Sequence, residues 1–313
     1  MNIAWSDLVT DVMMDGIIYP SRNGQVKELL GTQLEVPPNR SFLFHPGRKL
    51  SPIYAAAEFL WLLGSDPGGE MICHYAPSYK NYLNDGKAWG HYGMRLNREG
   101  QIQRVVDHLR ADPDSRRAVV SMWVPTYDLR GPEDGKINDI PCTLSIQFLI
   151  RNDKLHTVVT MRSNDLWMGL PYDVFVFSGF SRLIAEQLRL KMGTYYHNAG
   201  SSHIYEKHWN RAREAMAMVP QCDMLTFEPH VEGSFRDYNL IRQFELAGRD
   251  GTQDLRIADH FGEHTLLTNC LLLASLHGRP EPLSDSEFFQ LSCIIDSRLL
   301  RVANEILLDR RRK

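Results

Sequence analysis

No two cysteines in this chain are spaced as CxxC, and its five, Cys73, Cys142, Cys222, Cys270 and Cys293, are odd in number and far apart. That argues against a disulfide framework and against a structural zinc, and a reducing compartment is the expectation. Long apolar runs are missing as well: none approaches the ~20 residues that cross a bilayer. The opening MNIAWSDLVTDVMMDG has no basic stretch followed by an apolar core, so a soluble, cytoplasmic protein without a membrane partner is expected. Neither sign of charge dominates, since 35 Lys and Arg against 38 Asp and Glu leave a formal charge of -3. A chain so nearly balanced has no basic field for nucleic acid or an anionic membrane, and an anionic ligand must be met by a local arginine cluster. The sequence shows no internal repeat and no low-complexity tract.

With 313 residues, 43% of them hydrophobic, the chain can bury a large core without metals or disulfides. One domain over residues 1–313 is expected, with a helical C-terminal extension from about residue 240. The stretch from Asp139 to Leu188 organises the rest. Leu144, Ile146, Phe148 and Ile150 share one face at period two, predicting a strand with Cys142 at its mouth. Arg151-Asn152-Asp153-Lys154 turns the chain into a second alternating run, 155–162, which predicts a hairpin with a thiol at one end and Arg162-Ser163 at the other. After Met168-Gly169-Leu170-Pro171, Asp173 stands before an apolar segment of helical spacing closed by Lys191-Met192-Gly193. There a carboxylate can cap the helix or meet a ligand.

Along the rest of the chain, residues 3–16 read as an amphipathic helix ended by Gly16, and residues 19–24 as a polar loop. Arg22 on that loop is either an anion clamp or a solvated surface residue. Extended pieces at 33–36 and 41–44 precede a helix at about 51–63 that is apolar almost all round and therefore buried. Glu58 on it is either a buried carboxylate suited to proton transfer or the occupant of one wet stripe. Residues 64–100 interleave Tyr75, Tyr79, Tyr82, Trp89 and Tyr92 with polar residues, as a stacking wall for a flat ligand or as a self-packed lid. A helix at 101–111, then Arg116-Arg117 at the mouth of a strand over 118–123, leads into a charged loop at 125–138. Paired arginines bind phosphate as forked donors or decorate a surface. Beyond the central stretch come a run with Tyr195, Tyr196 and His197, the string GSSHIY, a helix bearing Trp209, an apolar helix around 265–277, and a last amphipathic helix with the basic tail RRRK.

PCTLSIQF, MRSNDLWMGLPYD and GSSHIY occur in the order and spacing of the thymidylate synthase family, which the chain resembles from about Arg22 to Asp237. The resemblance implies an α/β (α+β) fold with a twisted mixed sheet flanked by helices, and two subunits packed sheet to sheet in a homodimer. It also implies transfer of a one-carbon unit from 5,10-methylenetetrahydrofolate to C5 of a pyrimidine nucleotide monophosphate, with no metal. At matching positions, Cys142 is the nucleophile that adds to C6, and Arg162, Ser163 and Arg22 hold the phosphate, with Arg116 and Arg117 reaching in from the second subunit. His203 and Tyr205 bind the 3′-hydroxyl, Glu58 manages proton transfers through water, and Tyr92 supports removal of the C5 proton. Asp165 holds the pterin, with Gly169 beside the cofactor and Tyr79 loosely replacing an indole that packs on it.

Two departures shape the functional expectation. Uracil-specific members carry asparagine where this chain has Asp173. Cytosine reverses the donor and acceptor edge of uracil, and a carboxyl group accepts from its amino group while sharing a proton with N3. Second, the family closes its pocket with a short apolar tail and the indole, whereas this chain has Tyr79 and RRRK. A wetter pocket lets water attack the exocyclic methylene and gives a 5-hydroxymethyl product. The expectation is therefore 5-hydroxymethylation of CMP or dCMP. The alternatives are C5 methylation of dCMP or dUMP with hydride transfer from tetrahydrofolate, and an inactive nucleotide-binding regulator. Ribose or deoxyribose stays open, with Val176 and the 125–138 loop as candidate selectors. A zinc cytidine deaminase is excluded, because PCTLS lacks the second cysteine of PCxxC.

Overall fold

The structure, a computed structural model, describes the chain except Arg22, Ser65, Asp66, Gln253 and residues 130–138, 221–223, 231–236 and 312–313. Arg22, most of the 125–138 loop and the end of the basic tail thus lie outside the described residues. The chain forms two compact units, Met1–Leu50 with Trp89–Met224 and Ser51–Ala88 with Leu225–Lys313.

In the first unit, helix α1 (Asn2–Asp15) buries Trp5, Val9, Val12 and Met13, a spacing that puts all four on one face. The hairpin β1 (Ile17–Ser21) and β2 (Gly24–Val36) follows, then the small ribbon β3 (Phe44–His45) and β4 (Arg48–Lys49). The chain next builds α2 (Pro52–Leu63) and α3 (Glu70–Tyr75) of the second unit. On its return it forms α4 (Tyr92–Asn97), α5 (Gln101–Ala111), β5 (Val119–Ser121), α6 (Pro125–Asp128), β6 (Thr143–Arg151), β7 (Lys154–Met161), β8 (Asn164–Asp165), α7 (Leu170–Gln187), β9 (Lys191–Tyr205) and α8 (Trp209–Met216).

These strands make one mixed sheet in the order β1-β2-β9-β7-β6-β5, with β8 against β9. β7 and β8 run parallel to β9, and the other pairs are antiparallel. Strict alternation of burial along β7 and most of β9 leaves one face of the sheet for α7, and α7 is itself buried almost all round, as its composition requires. The β6–β7 turn is the expected one: Asn152 and Asp153 both take positive φ, 51° and 54°, the left-handed pair that a two-residue hairpin loop needs. The run 195–197 and GSSHIY, read separately in the sequence, are one strand, β9. The helix after the site ends at Gln187 rather than at Gly193, with Arg189 at φ 57° turning the chain.

The second unit is helical. α2 is capped by Ser51, whose side chain accepts from the Tyr54 amide, and the chain completes the unit with α9 (Tyr238–Arg249), α10 (Ile257–Phe261), α11 (Leu266–Ala274), α12 (Asp285–Ser292) and α13 (Ser297–Arg311). α11 is buried along its whole length. At Glu245 of α9, a buried carboxylate accepts from the Tyr75 hydroxyl at 2.9 Å and lies 2.9 Å from Arg249 Nε.

One buried ion pair braces the part of the first unit that carries Tyr92. Arg95, one turn along α4, donates through both terminal nitrogens to Asp128 at 2.8 Å each, and also to the carbonyls of Met122 and Trp89 at 2.8 and 3.1 Å. Removing one partner strands the other charge. Arg95→Ala is expected to cost about 3–5 kcal/mol in urea or thermal unfolding, whereas the paired change of Arg95→Met with Asp128→Leu is expected to cost far less.

Candidate active site

Cys142 sits immediately before β6, at a bulge. The β6–β7 register slips between Thr143 and Ser145, and the amides of Met122 and Trp123 both donate to Leu144 O, at 2.9 and 3.1 Å. Bulges re-aim the side chains beside them. Arg162, at the end of β7, closes the other side: its amide donates to Cys142 O at 2.8 Å, its Nε to Pro141 O at 3.0 Å and its Nη2 to Ile140 O at 3.1 Å. The guanidinium thus holds the backbone leading into the thiol and lies 6.0 Å from the Trp123 ring centre. Burial pushes the Cys142 thiol above its ordinary pKa, the Arg162 charge pulls it down, and Asp173, Asp139 and Asp165 push it up. The arginine therefore favours the thiolate, but burial outweighs it.

Tyr92 opens α4, where the His91 ring caps the helix by accepting from the Met94 amide at 3.1 Å. Its ring packs 5.3 Å from Phe177 of α7, and burial, then the charges of Asp173 and Cys142, hold its phenol well above the usual range. Asp139 joins this group: its Oδ2 accepts from the Gly90 amide at 2.9 Å, and burial raises its pKa. A Cβ on Gly90 would lie 2.8 Å from the Asp139 carboxylate, too close for any side chain, so glycine here lets the Tyr92 loop dock on the Cys142 loop.

Asp173 does not cap α7. The cap position is Gly169 and the helix begins at Leu170, which places Asp173 inside the first turn with its carboxyl turned to β8. Oδ2 accepts from Asn164 Nδ2 at 2.7 Å. Burial raises the Asp173 pKa to about 7, the Asn164 bond lowers it, and Asp165 raises it. Asp165 is the next residue of β8. Its Oδ1 accepts from the amides of Trp167 and Met168 at 2.8 and 3.1 Å, and among the described residues no hydrogen bond reaches its Oδ2. An acceptor with one oxygen committed and one open suits the N–H edge of a pterin, so the residues present fit the cofactor expected there.

β9 supplies the remaining groups. His203 pairs with Asp165 across β8–β9 and its ring is 5.2 Å from that of Tyr205. Burial lowers the His203 pKa, which Asp165 and Glu28 partly offset. Ser163, half-buried, lies between Arg162 and Asn164. Arg116 and Arg117 are exposed ahead of β5, their backbone tied by Gln147 and Ser115. Glu58 and Tyr79 belong to the second unit. Glu58 is half-buried on α2, and Tyr79, in a 3-10 turn over Pro77–Tyr82, packs edge-on against Trp61 at 5.3 Å. A cavity of about 350 Å3 in that unit, between α2 and α9, is lined by neither.

The structure thus gathers Cys142, Tyr92, Arg162, Asp165 and Asp173 in the first unit and adds Asn164 and Asp139, which the sequence does not single out. Asn164 stands inside the MRSND string and was legible there as a polar residue beside the site. Asp139 shows its role only once Gly90 is seen against it. Also unforeseen are Tyr195 and His197, both buried, with Tyr195 Oη and His197 Nδ1 3.0 Å apart. Burial lowers the His197 pKa to about 3.

Because its folded pKa is about 7 and an unfolded carboxyl ionises near the usual 3.9, Asp173 contributes no penalty below about pH 3.9, a growing one as pH rises from there, and the full one above about pH 7. Asp173→Asn is therefore expected to raise the melting temperature at pH ~8 more than at pH ~5, as thermal unfolding at the two pH values will show.

Comparisons with known proteins give the family. The family model described as Thymidylate synthase matches residues 4–258. A protein of Bacillus phage SP01 named deoxyuridylate hydroxymethyltransferase is 29% identical over 217 residues, covering 64% of this chain and 56% of that protein. A protein of the same name from Pseudomonas phage M6 is 29% identical over 248 residues, covering 76% of this chain and 70% of that one. The chain thus spans little more than half the length of the first relative. On the family match across most of its length, the chain belongs to the thymidylate synthase family.

Proposed function

We propose that the chain transfers a one-carbon unit to C5 of a cytosine nucleotide monophosphate, CMP or dCMP, and that water completes the reaction to a 5-hydroxymethyl nucleotide. Family membership supports the C5 chemistry, and the names of the two phage relatives support hydroxymethylation. The observation that carries the base is Asp173, a carboxyl beside Cys142 with a pKa of about 7. A carboxylic acid that is half protonated at neutral pH donates to N3 and accepts from the 4-amino group. Cytosine offers that edge.

In this reading the Cys142 thiolate adds to C6 and the electron pair of the C5–C6 double bond moves to C5, which becomes nucleophilic. Asp165 and Gly169 would hold the pterin side of methylenetetrahydrofolate, which would supply the carbon and leave as tetrahydrofolate. Tyr92 supports loss of the C5 proton, which expels tetrahydrofolate and leaves an exocyclic methylene on C5; water adds to that methylene and the Cys142 thiolate leaves C6, restoring the C5–C6 double bond. Arg162, Ser163 and Arg22 take the phosphate, and His203 and Tyr205 the sugar hydroxyl. Arg116 and Arg117, exposed on this chain, complete the phosphate site of a second subunit in a homodimer.

The names of the two relatives favour a second reading, hydroxymethylation of dUMP. Release of tritium from C5-labelled CMP, dCMP, UMP and dUMP, in the presence of tetrahydrofolate and formaldehyde, separates them. Cytosine nucleotides are expected to react faster, and the product to carry a hydroxymethyl group by mass. A uracil preference in the wild type, or dihydrofolate formation, defeats the corresponding half of the proposal. Cys142→Ser is expected to lose roughly a thousandfold or more of exchange. The cytosine-to-uracil ratio of kcat/KM is expected to fall as pH rises through about 7, because the acid form of Asp173 is then lost. Taking the ratio cancels the ionisation of Cys142, which both substrates share.

A further inference from the structure

A carboxylic acid is an ambiguous reader of pyrimidines. With the proton on one oxygen it matches the cytosine edge, and with the proton on the other it presents the mirrored pattern, which matches uracil. Selectivity therefore requires something that fixes which oxygen carries the proton. Asn164 is placed to do so. Its Nδ2 donates to Asp173 Oδ2 at 2.7 Å, which commits that oxygen as an acceptor. Among the described residues no hydrogen bond reaches Oδ1 of Asp173, so Oδ1 is left to carry the proton toward N3, while the second lone pair of Oδ2 is left for a 4-amino group.

Two further observations set this contact apart from ordinary packing. Asn164 is 3% exposed, yet its own Oδ1 is buried without a hydrogen-bond partner. An orphaned buried acceptor costs on the order of 1–3 kcal/mol, a cost that an apolar residue of the same shape avoids. Turning the amide over would set its oxygen against the carboxyl group and still leave the nitrogen unpaired, so the orientation seen is the one that keeps Nδ2 on Asp173. The neighbouring backbone is also shaped for this pair. A Cβ on Gly169 would come within 3.3 Å of Asp165 O and of Asp173 Oδ2 and 3.4 Å of Asn164 Nδ2, so a side chain there would make the Asp173 carboxyl give by a few tenths of an ångström.

We propose that Asn164 is a specificity-determining positioning residue: by pinning Oδ2 of Asp173 as an acceptor it assigns the acid proton to Oδ1, so that the site reads a 4-amino pyrimidine and refuses a 4-keto one. The inference rests on the cytosine reading above and deepens it. The other ionisable groups that act on Asp173 or feel its charge are Asp165 from β8, Tyr92 from α4, Cys142 ahead of β6 and Tyr195 from β9.

The test compares wild type, Asp173→Asn, Asn164→Leu, Asn164→Ala and Asn164→Ser, using C5 tritium release from CMP and UMP across about pH 5.5–9. Asn164→Leu and Asn164→Ala are expected to cut the cytosine-to-uracil ratio of kcat/KM by about tenfold. They are also expected to move the decline of that ratio to higher pH, because Asp173 loses the donor that lowers its pKa. Asn164→Ser, which keeps a hydroxyl donor, is expected to stay nearest to wild type in both readouts. If wild type prefers cytosine and Asp173→Asn shifts that preference while every Asn164 variant keeps the wild-type ratio and profile, the inference is overturned and the base reading stands. Loss of melting temperature and of both activities in equal proportion in the Asn164 variants overturns it in the same way. A wild-type preference for uracil that Asp173→Asn leaves unchanged removes the base reading and the inference with it.

Discussion

The parallel pairing of β7 with β9 is the constraint on which the site depends. Two parallel neighbours cannot be joined by a tight turn, so the chain must cross over, and the crossover here is α7. Strand β7 delivers Arg162 at its C-terminal end, β8 continues the line with Asn164 and Asp165, and α7 starts at once with Asp173 in its first turn. The returning β9 sets Ser202 and His203 beside Asn164 and Asp165. Ligands of parallel sheets gather at the carboxyl ends of strands, beside the first turn of the crossover helix, and Arg162, Asn164, Asp165 and Asp173 stand there in sequence order.

That placement explains why a carboxyl group is tolerated so deep in the protein. The sheet face and α7 exclude water from Asp173, which raises its pKa, and the same burial raises Cys142 and Tyr92. Three groups that all resist carrying negative charge are thereby packed together, with Arg162 lowering the pKa of the thiol. The arginine is already bonded to the carbonyls of Ile140 and Pro141, so its charge is held in place before any ligand arrives. Preorganisation of this kind avoids reorientation at the moment of reaction.

Much of this was legible in the sequence because it is local. The period-two runs of β6 and β7 and the Asn152-Asp153 turn each depend on near neighbours along the chain, and each is found where expected. The MRSND and GLPYD strings likewise lie on one continuous stretch. What could not be read depends on distant pairs. Gly90 against Asp139, Tyr92 over Phe177 and the Arg95–Asp128 brace are contacts whose partners carry no mark in their own segments. Of the two readings open for Asp173, the cap falls instead to Gly169, for a related reason. The proline at 171 suits the first turn of a helix, so α7 starts earlier than its apolar pattern suggests. The division into two units followed no Gly-rich or Pro-rich linker, and only backbone packing reveals it.

The strand pairing also sets an order of events during synthesis. β2 bonds to β9 from Val26↔Tyr205 to Val36↔Tyr195, so the long strand made at residues 24–36 has only β1 beside it until residue 205 has emerged. During that interval the nascent chain exposes an open sheet edge with apolar positions at Val26, Leu34 and Val36, the kind of surface that pairs with other chains. Contacts this far apart are slow to form, and this nascent edge is the segment that a chaperone has most reason to hold.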